Sequence, residues 1–237
     1  MKSLPIIILI LLTNNLFGED WNCVSKDSYL QEIQCKSKEG ELFSFKSKSE
    51  ETNNRYEVNK DLMLDFKTFV ETIGPGKTIK ASTPVGDYLS GITLEGGMIK
   101  ASVQYTNGDS YEGNLLGVYR HGKGIYKTEE YVLEGEFIEG YLQGKGIKTF
   151  LNRDQVISGE FVDDVPNGLI EDKETYVNEN GDYIDRIYKG QAKNGYWHGL
   201  GYQEVKKIEE LEGIGVRFGE YEDPGIIGVR FWIKKFS

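Results

Sequence analysis

The stretch YEGNLLGVYRHGKG, residues 111–124, decides the fold, because it recurs downstream in three altered copies. LEGEFIEGYLQGKG begins at Leu133, ISGEFVDDVPNGLI at Ile157 and YKGQAKNGYWHGLG at Tyr188. The starts of the four copies are separated by 22, 24 and 31 residues. Self-similarity at this spacing is typical of repeat proteins, in which one small supersecondary unit is stacked several times.

Each copy has a glycine at its third position, with apolar residues at the first and fifth positions. These triplets are Tyr111/Gly113/Leu115, Leu133/Gly135/Phe137, Ile157/Gly159/Phe161 and Tyr188/Gly190/Ala192. Because side chains alternate between the two faces of a strand, each triplet shares one face, where glycine leaves room for a neighbouring ring. A second set of glycines follows a turn in each copy: Gly122, Gly124, Gly144, Gly146, Gly168, Gly199 and Gly201. The pattern predicts one β-hairpin per copy, with large residues on one strand covering glycines on its partner.

Turn signals agree with this prediction. Asn107-Gly108 precedes the first copy and Asn180-Gly181 precedes the last, and Asn-Gly is a strong hairpin signal. Single hairpins cannot bury a face alone, so neighbouring hairpins must join into a larger sheet. The sequence therefore predicts a mainly β protein built on one elongated, twisted antiparallel sheet.

The repeat resembles the MORN family, whose unit runs tyrosine, any, glycine, any, aromatic, then glycine, histidine-glycine, any, glycine. The first copy matches at Tyr111, Gly113, His121, Gly122 and Gly124, and the last at Tyr188, Gly190, Gly195, His198, Gly199 and Gly201. The middle copies depart from the unit at Gln143, Asp164, Asn167 and Ile170. The four copies cover residues 111–210. The resemblance implies the elongated sheet, and it implies little about activity, since the family includes scaffold, membrane-apposed and enzyme-associated proteins.

The N-terminal residues have the layout of a secretory signal peptide. One lysine precedes an apolar run over residues 4–12, and Gly18 follows as a small residue at the predicted cleavage site. The run is shorter than the ~20 residues that cross a bilayer. We expect residues 1–18 to be removed on export to a periplasm, cell envelope or extracellular space. The alternatives are a buried N-terminal strand and a membrane anchor.

Export of the chain would place its two cysteines in an oxidising compartment. Cys23 and Cys35 are the whole cysteine content of the sequence, and an oxidising compartment favours a disulfide between them. A redox or metal-binding pair of free thiols is the alternative, although the spacing is not CxxC.

The net charge of −10 and the pI of about 4.9 disfavour nucleic acid and anionic bilayers as partners.

Residues 19–80 precede the repeats and lack their pattern. Alternating residues predict a hairpin around Lys38-Glu39-Gly40, and a helix follows, with Asn59 as its N-cap and Gly74-Pro75 as its stop. One face of that helix carries Leu62, Phe66, Phe69, Val70 and Ile73. We expect this helix to cover the first open edge of the repeat sheet, as part of a small N-terminal α+β cap. The β domain would then occupy residues 81–237 and end in a strand over residues 226–236.

Residues that could carry catalysis are sparse. The two histidines, His121 and His198, occupy the same repeat position, which favours a turn-stabilising role through hydrogen bonds to backbone. The sequence has neither a GxSxG nucleophile elbow nor a phosphate-binding loop. Residues 178–185 are rich in oxygen ligands but lack the spacing of an EF-hand. The sequence predicts no catalytic residue, no cofactor and no metal site.

Aromatic residues give the strongest candidate for binding. Tyr119, Tyr141, Tyr196 and Trp197 fall between the two strands of their copies, so repetition would align them along one rim of the sheet. Such a rim can contact a protein, a glycan or a lipid surface; alternatively, the rings fold back over the glycines. We expect an exported, non-enzymatic structural or protein-binding platform of the cell envelope, with an unidentified protein partner. A membrane-surface or lipid-binding module is the alternative.

Overall fold

A computed structural model describes residues 20–25, 32–46, 60–84, 86–207, 214–222 and 225–227. The described residues contain 16 strands, all in one sheet, and one 14-residue α-helix. Their bounds are β1 Asp20–Ser25, β2 Glu32–Ser37, β3 Leu42–Lys46, α1 Lys60–Ile73, β4 Thr78–Ser82, β5 Tyr88–Thr93, β6 Met98–Gln104, β7 Ser110–Leu116, β8 Tyr119–Lys127, β9 Tyr131–Ile138, β10 Tyr141–Phe150, β11 Asp154–Val162, β12 Val165–Val177, β13 Tyr183–Lys193, β14 Tyr196–Lys207, β15 Ile214–Glu222 and β16 Gly225–Ile227.

The strands follow chain order through most of the sheet. From β4 to β16 each strand pairs antiparallel with the next, as a continuous meander of hairpins. At the N-terminal end β1 pairs parallel with β4, and β2 and β3 extend the sheet beyond it. The predicted mainly β fold, an elongated sheet with a small N-terminal α+β cap, is confirmed.

Helix α1 packs on one face of the N-terminal strands. Phe66, Phe69 and Val70 are buried on its apolar side, and the Phe69 ring lies 5.1 Å from the rings of both Trp21 and Phe43. The helix ends at Ile73, because Gly74 has φ +77° and donates its N–H to the Val70 carbonyl. Strand β1, which pairs with β4, covers the edge of β4, whereas the sequence predicted that the helix would cover it. Asn59 and the side chain of Leu62 lie outside the described residues.

The two cysteines lie opposite each other on β1 and β2. Cys23 and Cys35 are register partners, both buried, and they form a disulfide. The predicted hairpin around Lys38-Glu39-Gly40 connects β2 to β3, with Lys36 opposite Leu42. The disulfide thus joins the strand that pairs with the meander to the strand beyond it.

A row of mostly glycine residues crosses the sheet perpendicular to its strands. In successive register pairs the row runs Gly91, Ala101, Gly113, Gly124, Gly135, Gly146, Gly159, Ile170, Gly190, Gly201 and Gly219. Large side chains lie over it: the Tyr111 ring covers Gly124 and its hydroxyl group lies over Gly113, and the Tyr188 side chain covers Gly190 and Gly201. Both rings are fully buried. The predicted covering of glycines by the partner strand is present in the first and last copies.

The same β-bulge interrupts every repeat hairpin. From Gly113 to Leu115 the register advances two residues on β7, while from Gly124 to Arg120 it moves four residues on β8. Two extra residues therefore sit on the second strand. The other three hairpins repeat this count. A glycine with positive φ occupies each bulge: Gly122, Gly144, Gly168 and Gly199. Bulges bend the strand and increase its twist, so every repeat hairpin is bent at the same repeat position.

Several predictions lie outside the described residues. They are the signal peptide over residues 1–18 and the part of the C-terminal strand beyond Ile227. In the part of the chain that the structure describes, α1 and the short 3-10 turn at Glu95–Gly97 are too short or too polar to span a bilayer.

Candidate functional site

Two-residue turns connect the strands of all four repeat hairpins on one side of the sheet. They sit at the same repeat positions: Gly117-Val118, Glu139-Gly140, Asp163-Asp164 and Asn194-Gly195. Both residues of the last three turns have positive φ, as in the type I′ turns that match the twist of a hairpin. The turns that carry Asn107-Gly108 and Asn180-Gly181, which the sequence identified as hairpin turns, lie on the opposite side and are longer.

Backbone hydrogen bonds tie the last three of these turns to the preceding hairpin. The N–H of Gly140 donates to the Arg120 carbonyl over 3.0 Å, and the N–H of Gly195 donates to the Pro166 carbonyl over 2.9 Å. At the turn between them, Asp164 donates its N–H to the Leu142 carbonyl and accepts the Leu142 N–H through Oδ1, at 2.6 Å. The turns are thus fixed at intervals of two strands, about 10 Å.

Apolar side chains flank these turns on the face opposite the buried rings. We name the set, together with Lys193 at one position, the tip row; in register pairs it comprises Leu116/Tyr119, Ile138/Tyr141, Val162/Val165 and Lys193/Tyr196. Its central members are open to solvent, with exposures of 49% for Ile138, 51% for Tyr141 and 45% for Val162. An exposed apolar series of this kind marks an interaction surface when its members are contiguous.

The four aromatic residues predicted to form a rim do not all lie together. Tyr141 and Tyr196 are exposed members of the tip row, and Tyr119 is half-buried against the turn at Gly140. Trp197 points to the opposite face. Its ring stacks on Tyr188 with centroids 4.3 Å apart and planes 8° apart. The rim is therefore a surface for three of the four residues, and Trp197 is internal packing.

The aliphatic members of the tip row were not predicted. Val165 occupies the ninth position of its copy, as Tyr119, Tyr141 and Tyr196 do in theirs. Ile138 and Val162 face the ninth-position residues across the turn. The repeat register was the available signal, because it marks the ninth position irrespective of whether the residue there is aromatic.

The central turns of the tip row are acidic. Glu139 and Asp163 are exposed, and Asp164 is half-buried at the same edge. Over the four turns and their flanking tip-row residues, Lys193 is the one basic residue. Lys123 and Lys145 lie one row further in, where each faces a glutamate, Glu136 or Glu160, across the strands. The tip row is therefore apolar with a negative border.

A buried polar network lies on the opposite face. Asp172 is 6% exposed and accepts hydrogen bonds from Gln155 Nε2 at 2.8 Å and from Trp197 Nε1 at 3.0 Å. Burial raises the pKa of this carboxyl group above its ordinary value. Arg186, beside the Trp197 ring, forms an ion pair with Glu174. The network orients Trp197 over Tyr188, which is a packing role.

The histidines and the oxygen-rich turn also have structural surroundings. His121 and His198 are half-buried in the bulges of β8 and β14, and among the described residues neither imidazole makes a hydrogen bond. The positive φ of the following glycine, rather than the predicted imidazole bond, defines each bulge. Asn178 Oδ1 accepts the N–H groups of Asn180 and Asp182 and closes its own turn. The described part of the chain contains no cluster of metal-ligating side chains.

No family model matches this chain, and no curated protein matches it. The MORN resemblance therefore rests on the residues of the repeat.

Proposed function

We propose that this chain is an exported, non-enzymatic, MORN-type repeat protein that acts as a structural or protein-binding platform in the cell envelope. The tip row supports this proposal best. Over its last three hairpins it presents exposed apolar side chains, and backbone hydrogen bonds hold the turns of these hairpins at fixed intervals. A rigid, preformed apolar surface binds a partner with little loss of conformational entropy.

Export is supported by the disulfide. Cys23 and Cys35 are joined and buried at the N-terminal end of the sheet, and such bonds persist in oxidising compartments. The signal-like residues 1–18 point the same way.

A site-specific crosslinking experiment tests the platform. A photoreactive amino acid at Tyr141 should capture a discrete protein from cell-envelope extract. The same group at Val177, which is 54% exposed and lies on the opposite side of the sheet, should not capture that protein. Equal capture at both positions, or hydrolytic or transferase turnover by the pure protein, would contradict the proposal.

A membrane-surface module is the second candidate, favoured by the exposed tyrosines Tyr141 and Tyr196. The acidic residues Glu139 and Asp163 oppose it for anionic lipid, because like charges repel at a surface. Flotation with zwitterionic and anionic liposomes separates the two functions: retention on liposomes that is lost on Tyr141→Ser favours the membrane module.

A further inference from the structure

We infer that the partner of the tip row is a basic amphipathic helix that lies across the hairpin tips. Apolar residues spaced seven apart along this helix contact successive hairpin tips. This inference rests on the proposed platform function and adds the chemistry of the partner. Three observations carry it: the exposed apolar residues, the acidic turns between them, and the interval at which the hairpins repeat.

The apolar component comes from the two central hairpins. Ile138 and Tyr141 flank one turn, and Val162 and Val165 flank the next, with exposures from 39% to 51%. Tyr196 continues the row at 57%. A partner that buries these side chains must present apolar groups of its own, because burial of apolar surface is the main favourable contribution to association.

The charge component comes from the turns. Glu139 and Asp163 are exposed between the apolar pairs, and Lys193 is the one basic residue in the tip row. Complementary charge speeds encounter and rejects partners of the wrong sign. A partner with lysine or arginine beside its apolar residues satisfies both requirements, whereas an acidic helix or an anionic lipid surface meets repulsion.

The interval favours a helix. Adjacent hairpin tips are two strands apart, which is about 9.6 Å. Seven residues of α-helix rise about 10.5 Å and return to nearly the same face, so residues seven apart meet successive tips. In an extended strand, three residues cover a similar distance, but their side chains alternate between faces. The helical partner therefore presents one apolar residue to each tip.

The experiment uses the purified mature chain and a fluorescent 21-residue helical peptide. The peptide carries leucine at seven-residue intervals, lysine and arginine beside each leucine, and glutamine and alanine elsewhere. Two control peptides replace the basic residues with glutamate or scramble the leucine spacing. Fluorescence anisotropy should show saturable binding of the basic heptad peptide, and roughly tenfold weaker binding of each control.

Variants of the chain locate the site. Tyr141→Ser and Val165→Ser should each weaken binding several-fold and together about tenfold, because a few central residues carry most of the energy of an interface. Val177→Ser is the matched control, since Val177 is 54% exposed and flanks a turn on the opposite side of the sheet. Glu139→Lys should also weaken binding, whereas Glu179→Lys, the same change on the opposite side of the sheet, should not. Unchanged melting temperatures confirm that all variants fold.

The outcomes are distinguishable from failure of the platform itself. If the crosslinked envelope protein is retained but the basic heptad peptide binds no better than its controls, the helix inference is wrong and the platform stands. Equal loss of peptide binding in Val177→Ser overturns the assignment to the tip row. Binding to anionic vesicles, or a dimer in sedimentation that Tyr141→Ser dissociates, also overturns the inference, because a lipid or a second copy then occupies the row.

Discussion

The ring of Tyr111 lies across Gly124 so closely that a Cβ atom built on the glycine would stand 2.5 Å from ring atoms Cε2 and Cζ. The hydroxyl group extends beyond the glycine and donates a hydrogen bond of 2.8 Å to the Asn114 carbonyl. Tyr188 repeats both contacts, with Gly201 beneath its ring and the Gln191 carbonyl as its acceptor. Glycine thus provides the space in which an aromatic ring is buried in a single sheet.

Gly124→Ala and Gly201→Ala should therefore destabilise the protein by about 3 kcal/mol each, because the ring must leave its rotamer or the strands must separate. Urea unfolding followed by tryptophan fluorescence measures the loss. A matched change at Gly181, where a Cβ would meet no atom within 4 Å, should cost only the strain of its positive φ. Similar losses at all three positions would refute the steric role.

Gly122 should behave differently from Gly124 although the two residues are neighbours in the motif. The sequence pattern predicts that large residues cover the glycines of the second strand, which include Gly122 and Gly199. The nearest atom to a Cβ on Gly122 is instead Asn114 Nδ2 at 3.4 Å, while its φ is +63°. We expect Gly122→Ala to cost about 1–2 kcal/mol from backbone strain alone. Gly122→Asn should cost less, since asparagine tolerates this conformation; an equal cost for both would exclude backbone strain as the cause.

Asp172→Asn should change how stability depends on pH. Burial raises the folded-state pKa of Asp172 above 3.8. The stabilisation that comes from this carboxyl group is therefore fully present below pH 3.8, and it is lost as the pH rises through the folded-state pKa. The amide can keep both hydrogen bonds if Gln155 reverses its own amide. The free energy of unfolding of the variant, minus that of the parent, should thus increase from pH 4 upward and then level off. A difference independent of pH would show that Asp172 titrates normally.

Loss of the disulfide should affect the N-terminal end of the sheet most. A bridge with a sequence separation of 12 stabilises by roughly 3 kcal/mol in the chain-entropy model. The double variant Cys23→Ser/Cys35→Ser should lose about that amount in denaturant unfolding. The rate of amide hydrogen exchange in the variant should increase more in β1 and β2 than in β9 or β10. Uniform exchange along the whole sheet would contradict this order.

The histidine variants His121→Asn and His198→Asn should keep both fold and partner binding. Gln143 and Asn167 already occupy this position in the middle copies, and the bulge depends on the glycine that follows. Melting temperatures should change by no more than a few degrees. Loss of function without loss of stability in either variant would assign that imidazole a chemical role.

The repeat made most of the sheet predictable, because period-two alternation at Tyr111, Gly113 and Leu115 fixes which face of each strand is buried. The bulges were not predictable, since their register depends on pairing between strands rather than on alternation within one. Trp197 shows the same limit in the candidate site. Adjacent residues on a strand point to opposite faces, so Tyr196 and Trp197 could not both belong to one surface.

The two sides of the sheet differ in how much chain they can accept. The first 14 residues of the four copies align without insertions or deletions. The turn, the bulge and the covering ring all lie within this segment. The variation between 22, 24 and 31 residues falls instead in the segments that lead to the next copy. Peptide tags, linkers or whole guest domains spliced in at Asn180-Gly181 would therefore leave the spacing of the opposite side unchanged, which makes the longer turns the natural entry points for engineering this scaffold.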